Sequence, residues 1–129
     1  MDYFVDTMVK ANALWAADRH AEALTLLEAS VLTASQTEEA TWLRLQACLI
    51  ARATSNPALV ESLCGQILSY DPENVLAIYN LADAALIRGK ADLSARYALQ
   101  AHTLISRSSP ERDRVLLDLL ESRWPEIQG

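Results

Sequence analysis

Residues 71–104 read DPENVLAIYNLADAALIRGKADLSARYALQAHTL, two long stretches of helical periodicity separated by one glycine, Gly89. Small residues recur where a helical core normally carries leucine. Ala82 and Ala85 precede the glycine, and Ser94, Ala98 and Ala101 follow it. Small side chains on both members let helix axes approach toward ~8 Å, so the segment is constrained to a tightly packed helical hairpin. Gly89 supplies the left-handed residue that closes such a turn. The expected pairing sets Ala82 against Ser94 or Ala98, with Leu81 and Tyr97 packing between neighbouring hairpins.

The same alternation of apolar stripe and short polar break runs along the chain. Seven helices are predicted, over about 2–17, 20–34, 37–54, 57–70, 73–88, 91–106 and from about 109 to 124. The first carries Phe4, Val5, Met8, Ala11 and Trp15 on one stripe, the third Trp42, Leu45, Leu49 and Ala53. The last carries Val115, Leu116, Leu119, Leu120 and Trp124. Asn56–Pro57 reads as a cap followed by a first-position proline, Asp71–Pro72 as a turn, and Ser109–Pro110 as the start of the seventh helix. Alanine and leucine dominate, against three glycines and four prolines, which favours an all-α domain. At 129 residues the chain is one domain long. Gly65, inside the fourth helix, reads as a point of close approach for the next hairpin, with a tolerated surface glycine as the alternative.

Superposing the second helix of each hairpin aligns Ala23, Val60 and Ser94; Leu27, Cys64 and Ala98; Ser30, Ile67 and Ala101; and Ser35, Pro72 and Ser106. The steps are 37 and then 34 residues, the second being the period of a helix–turn–helix solenoid. The three extra residues belong either to TASQTEEA or to ARATSNP. With Tyr79, Leu81, Ala82, Gly89, Ser94 and Ala101, the 75–108 unit resembles the tetratricopeptide repeat. DPEN precedes it as the usual closure between repeats. The first unit offers Ala11, Ala23 and Ser30, with Asp18 in place of the turn glycine. The middle unit matches through Val60 and Pro72. The resemblance implies one antiparallel helix-hairpin solenoid over 1–129, with repeats at about 4–36, 37–74 and 75–108. A helix at about 109–124 caps the stack.

Several function classes find no support in the residues. Net charge is −6 with no basic cluster, against a nucleic-acid footprint. The N-terminus MDYFVDTMVK has acids where a signal peptide needs cations, and no apolar run is long enough to span a membrane. The expectation is a cytoplasmic protein, complete from its starting Met to its capping helix. Cys48 and Cys64 match no zinc spacing and read as buried thiols. His20 and His102 lie in no ligand pattern, and Glu38–Glu39 at a helix start is explained by the helix dipole. No glycine-rich loop or Gly-x-Ser-x-Gly elbow is present. No enzyme activity, metal or cofactor is expected.

In such a stack the first helix of each pair lines one face, which serves as the binding surface. The residues expected there are Met8, Asn12 and Trp15; Trp42 and Gln46; and Leu76, Tyr79, Asp83 and Leu86. Family members that clamp acidic chain ends use Lys, Asn and Arg on these helices. Here only Asn12 matches, while Met8, Leu76 and Asn80 stand where cations belong. An apolar groove suits a peptide or amphipathic helix of another protein. The expected function is therefore a chaperone- or adaptor-like protein-binding module, similar in size to the small repeat proteins that chaperone secretion subunits. The alternative is a self-associating structural solenoid, with Phe4, Val5 and Trp124 as its discriminating residues.

Overall fold

A computed structural model describes residues 3–34, 36–108, 111 and 113–128. Among these residues the protein is all-α, with seven helices and no strand. The helices are α1 (Tyr3–Ala16), α2 (His20–Thr33), α3 (Thr37–Ala53), α4 (Pro57–Tyr70), α5 (Val75–Ile87), α6 (Ala91–Ser108) and α7 (Arg114–Arg123). A 3₁₀ turn at Pro125–Gln128 follows. Each helix packs antiparallel on the next, and α3 also touches α1 and α5. The odd-numbered helices thus form one layer of a hairpin solenoid.

Local chemistry sets the helix ends. Asn56 Oδ1 accepts from the Leu59 amide at 3.2 Å, with Pro57 at the first helical position. In DPEN, Asn74 Oδ1 accepts from the Ala77 amide at 3.0 Å, so α5 begins two residues later than the sequence predicts. Asp71 steadies that cap by accepting from Asn74 Nδ2 at 3.1 Å.

The three hairpins close with one turn. Asp18, Ser55 and Gly89 are left-handed, at φ +63°, +54° and +75°. After each, an amide reaches back five residues: Arg19 to Leu14 O at 2.8 Å, Asn56 to Ala51 O at 2.8 Å, and Lys90 to Ala85 O at 2.9 Å. This is the helix-ending motif that glycine favours, and only the third hairpin has the glycine. From position 18 to 55 is 37 residues and from 55 to 89 is 34, the steps seen in the sequence. The additional residues lie at the start of α3, which has 17 residues against 13 in α5.

The aligned triads Ala23/Val60/Ser94, Leu27/Cys64/Ala98 and Ser30/Ile67/Ala101 are buried throughout. Ser35, Ser109 and Pro110 lie outside the described residues. Burial organises into two clusters. One spans α1–α4 with Ala77 and Ala84, and takes Leu81 at its edge. The other joins α5, α6 and α7, with Tyr97 at its edge. Within the α5–α6 hairpin, Ser94 Oγ donates to the Ala82 carbonyl at 2.7 Å. A serine can reach a neighbouring helix's backbone only when small residues bring the two axes close.

Three expectations are corrected. On α3 the buried residues are Leu43, Leu45, Ala47, Cys48, Ile50 and Ala51, while Trp42, Leu49 and Ala53 stay exposed. Helices pack on both flanks of α3, so its buried surface is a broad arc and not one stripe. On α7, Leu117, Leu120 and Trp124 are buried, and Val115 and Leu119 are exposed. The apolar residues of α7 offer more than one face, and packing against α5 and α6 selects the one that holds Leu117, Leu120 and Trp124. Gly65 is exposed, and a Cβ there would meet nothing within 4 Å, so it marks no close approach.

Candidate functional site

The layer of odd-numbered helices carries most of the exposed apolar surface. Among the described residues twelve large apolar side chains are exposed, and nine of them lie on α1, α3, α5 and α7. The odd helices are only slightly longer in total than the even ones, so length does not explain this bias. On α3 the exposed strip is Trp42 and Leu49, two turns apart, with Gln46 half-buried beside it. On α5 it is Leu76, Leu86 and Ile87, and on α7 Val115 and Leu119.

The sequence-predicted residues divide into three groups. Trp42 (44 % exposed), Leu76, Leu86 and Asn12 are available at the surface. Met8 and Trp15 are half-buried against the first core cluster, and Trp15 meets the His20 ring edge-on at 6.3 Å. Tyr79 and Asp83 are each 6 % exposed and support the layer from beneath. Phe4 is half-buried in the first cluster, and Val5 is exposed.

Tyr79 and Asp83 anchor a polar network that sequence reasoning missed. Asp83 accepts from two guanidiniums at once: Arg52 Nε of α3 at 3.0 Å and Arg123 Nη2 of α7 at 2.5 Å. Arg52 Nη1 also donates to Asn80 Oδ1 at 3.2 Å, and Arg123 Nη1 to the Tyr79 hydroxyl at 2.6 Å. Both guanidinium carbons sit about over the Tyr79 ring, 5.5 and 5.6 Å from its centroid, and Arg123 lies 4.7 Å from the Trp124 centroid. Burial works against the charge on Arg123, but the hydrogen bonds to Asp83 and Tyr79 outweigh it and raise its pKa. Trp124, almost fully buried, meets Tyr79 edge-to-face at 5.8 Å and donates through Nε1 to Ser94 Oγ at 2.8 Å. The ring that was to discriminate a cap interface is thus core, pinned to the α5–α6 contact.

Two grooves flank this layer. The larger, about 820 Å³, runs between α1 and α2 at the start of the stack, along Ala13, Leu14, Ala21, Thr25, Leu26 and Ala29. The second, about 540 Å³, lies between the first turns of α5 and α7 and joins Leu76 to Val115 and Leu119. Val115 and Leu119 carry a signal in their i, i+4 spacing, but that spacing does not separate core from surface. One face of an isolated helix does not announce which neighbour covers it.

Other reactive groups are enclosed. Cys48 Sγ and Cys64 Sγ stand 3.7 Å apart with no exposure, between α3 and α4. The hydrogen bond from Cys64 holds the Cys48 thiol below its ordinary value. The same bond, and then burial, pushes the Cys64 thiol far up. His102 Nε2 lies 3.0 Å from Glu121 Oε1, joining α6 to α7. Among the described residues no three His, Cys, Asp or Glu side chains form a metal-holding group, and no helix is long and apolar enough to cross a membrane. No family model, no curated protein and no solved structure matches this chain.

Proposed function

We propose that this chain is a tetratricopeptide-like module of three hairpins and a cap. Without catalysis or cofactor, it holds a peptide or amphipathic helix of another protein on the layer of odd-numbered helices. The observation that carries this reading is the bias of exposed apolar side chains to that layer. Apolar side chains on a solvent-facing layer stabilise nothing in the monomer, and contiguous ones mark interaction surfaces. Trp42 is the natural anchor, being large, half-exposed and able to desolvate against a partner.

The test is site-specific photocrosslinking in cells. A crosslinking amino acid replaces Trp42, Leu49 or Leu86 on odd helices, and Leu32, Tyr70 or Leu99 on even ones. Adducts to one partner protein from the odd positions alone support the reading. Equal adducts from both sets, or none, end it.

Self-association is the second reading, and the α1–α2 groove favours it. Its lining is mostly small and apolar, edged by Lys10 and Glu22, and among the described residues no further helix covers it, whereas α7 covers the other end. Sedimentation equilibrium of an Ala21→Glu, Ala29→Glu variant decides the matter. A dimer that this variant dissociates supports end-to-end assembly, and a wild-type monomer at high concentration removes it.

A further inference from the structure

The groove between α5 and α7 has a chemistry that the rest of the layer lacks. Its floor is apolar, with Leu76 and Leu119 partly open and Val115 78 % exposed, the most open large apolar side chain on the odd helices among the described residues. Its walls are acidic, with Asp71 and Glu73 on one side and Asp113 on the other. Among the described residues no Lys or Arg lines it. We infer that this groove docks a partner segment in which apolar side chains are flanked by lysine or arginine. The inference rests on the proposed function and names the partner's chemistry.

Helix dipoles are the competing explanation of the acids, since both α5 and α7 start here. Two helix N-termini supply only about one positive charge together. Residues 71–76 carry two acids and no base, and residues 111–119 three acids and two bases, a net of minus three. About two negative charges therefore remain after the dipoles are satisfied. Arg114 does not change this, since it reaches toward Asp118 at 3.8 Å and the pair is neutral. A second copy of the chain is a poor occupant. It brings a net charge of −6 and, in a symmetric contact, the same acids against these. A basic segment meets complementary potential instead, which steers its approach and selects it over acidic competitors.

The experiment selects displayed random peptides of about 16 residues, roughly four helical turns, on the wild-type protein. Three folded variants, checked by circular dichroism, serve as comparisons. They are Val115→Ser with Leu119→Ser, Asp71→Asn with Glu73→Gln, and Trp42→Ser with Leu49→Ser. The expected peptides place Leu, Ile, Val or Phe between Lys or Arg. Their affinity falls about tenfold or more on the α7 variant. It falls about three- to tenfold on the acid-neutralised one, and that second loss vanishes near about 1 M salt. Peptides without cationic enrichment, or binding indifferent to the α7 variant, overturn the inference. Binding lost only on the Trp42 variant overturns it while leaving the proposed function standing. Binding unaffected by every variant, or no binder at all, defeats the inference, and the crosslinking result then judges the broader reading separately. Selection of this chain's own acidic segments would make the occupant a second copy and also overturn it.

Discussion

Asp18, Ser55 and Gly89 occupy one structural position in three chemical forms, so they test what the left-handed turn costs. At Gly89 a Cβ would meet nothing within 4 Å, so replacing it with alanine carries no steric penalty from neighbours. What remains is the backbone, where an L-residue in the left-handed region costs about 1–2 kcal/mol. Alanine also narrows the unfolded ensemble, which returns about 0.4–1 kcal/mol. Gly89→Ala should therefore destabilise by about 0.5–1 kcal/mol. Ser55, exposed and at φ +54°, already bears this penalty, so Ser55→Gly should stabilise by a similar amount. Asp18 should lie between, because aspartate tolerates the region and its Oδ1 lies 2.9 Å from His20 Nε2. Asp18→Gly is expected near zero. Equilibrium urea unfolding of the three single variants, with Gly89→Asn as a milder control, reads the ordering directly. A Ser55→Gly variant less stable than wild type, or a neutral Gly89→Ala, would refute the assignment of strain to these turns.

Asp83→Ala strands two guanidiniums that are each about one-third exposed. Solvent screening discounts the several kcal/mol of a fully buried pair to about 2 kcal/mol. Glu61→Gln, which breaks the exposed Arg88 pair, should by contrast leave the urea midpoint close to that of wild type, because solvent screens such a pair. Trp124→Phe removes the donor to Ser94 and also shrinks the buried ring, a combined loss of about 2–3 kcal/mol; thermal unfolding as stable as wild type would show both the bond and the packing to be idle. Gly65→Ala should raise stability by up to about 1 kcal/mol, and a loss in denaturant titration would reveal packing against Gly65 that its open surroundings deny. Neither thiol should react with a thiol-specific chromogenic reagent until the chain unfolds, when both react; fast native labelling would contradict the closed α3–α4 contact.

The helical architecture was legible because its signals are local. Asn56–Pro57, DPEN and Gly89 act within a turn of themselves, and the small residues of α5 and α6 declare a close pair by their types alone. The 37- and 34-residue steps were equally readable, since second helices of stacked hairpins bury equivalent positions. Ser55 escaped notice because serine is not a residue that advertises a positive φ. The rotated stripe of α7 was misread for a related reason. A helix with apolar residues at 115, 116, 117, 119 and 120 offers several faces, and only the neighbour selects one.

The network under the odd-numbered layer was illegible on stronger grounds. Arg52, Asp83 and Arg123 are separated by 31 and 40 residues, so no spacing rule relates them. Each alone reads as a charge on a solvated face. Their meeting depends on α3, α5 and α7 being stacked first, with Tyr79 against both guanidiniums and Trp124 against that of Arg123. That dependence has a structural consequence. Arg123 and Trp124 fasten the end of α7 to α5 and α6, and the same helix supplies Val115 and Leu119 to the acidic groove. Residues expected to touch a partner, Tyr79 and Asp83, instead hold in place the helix that presents the groove. Their loss would act through the position of α7, and the apolar side chains left open to contact are those the core leaves uncovered.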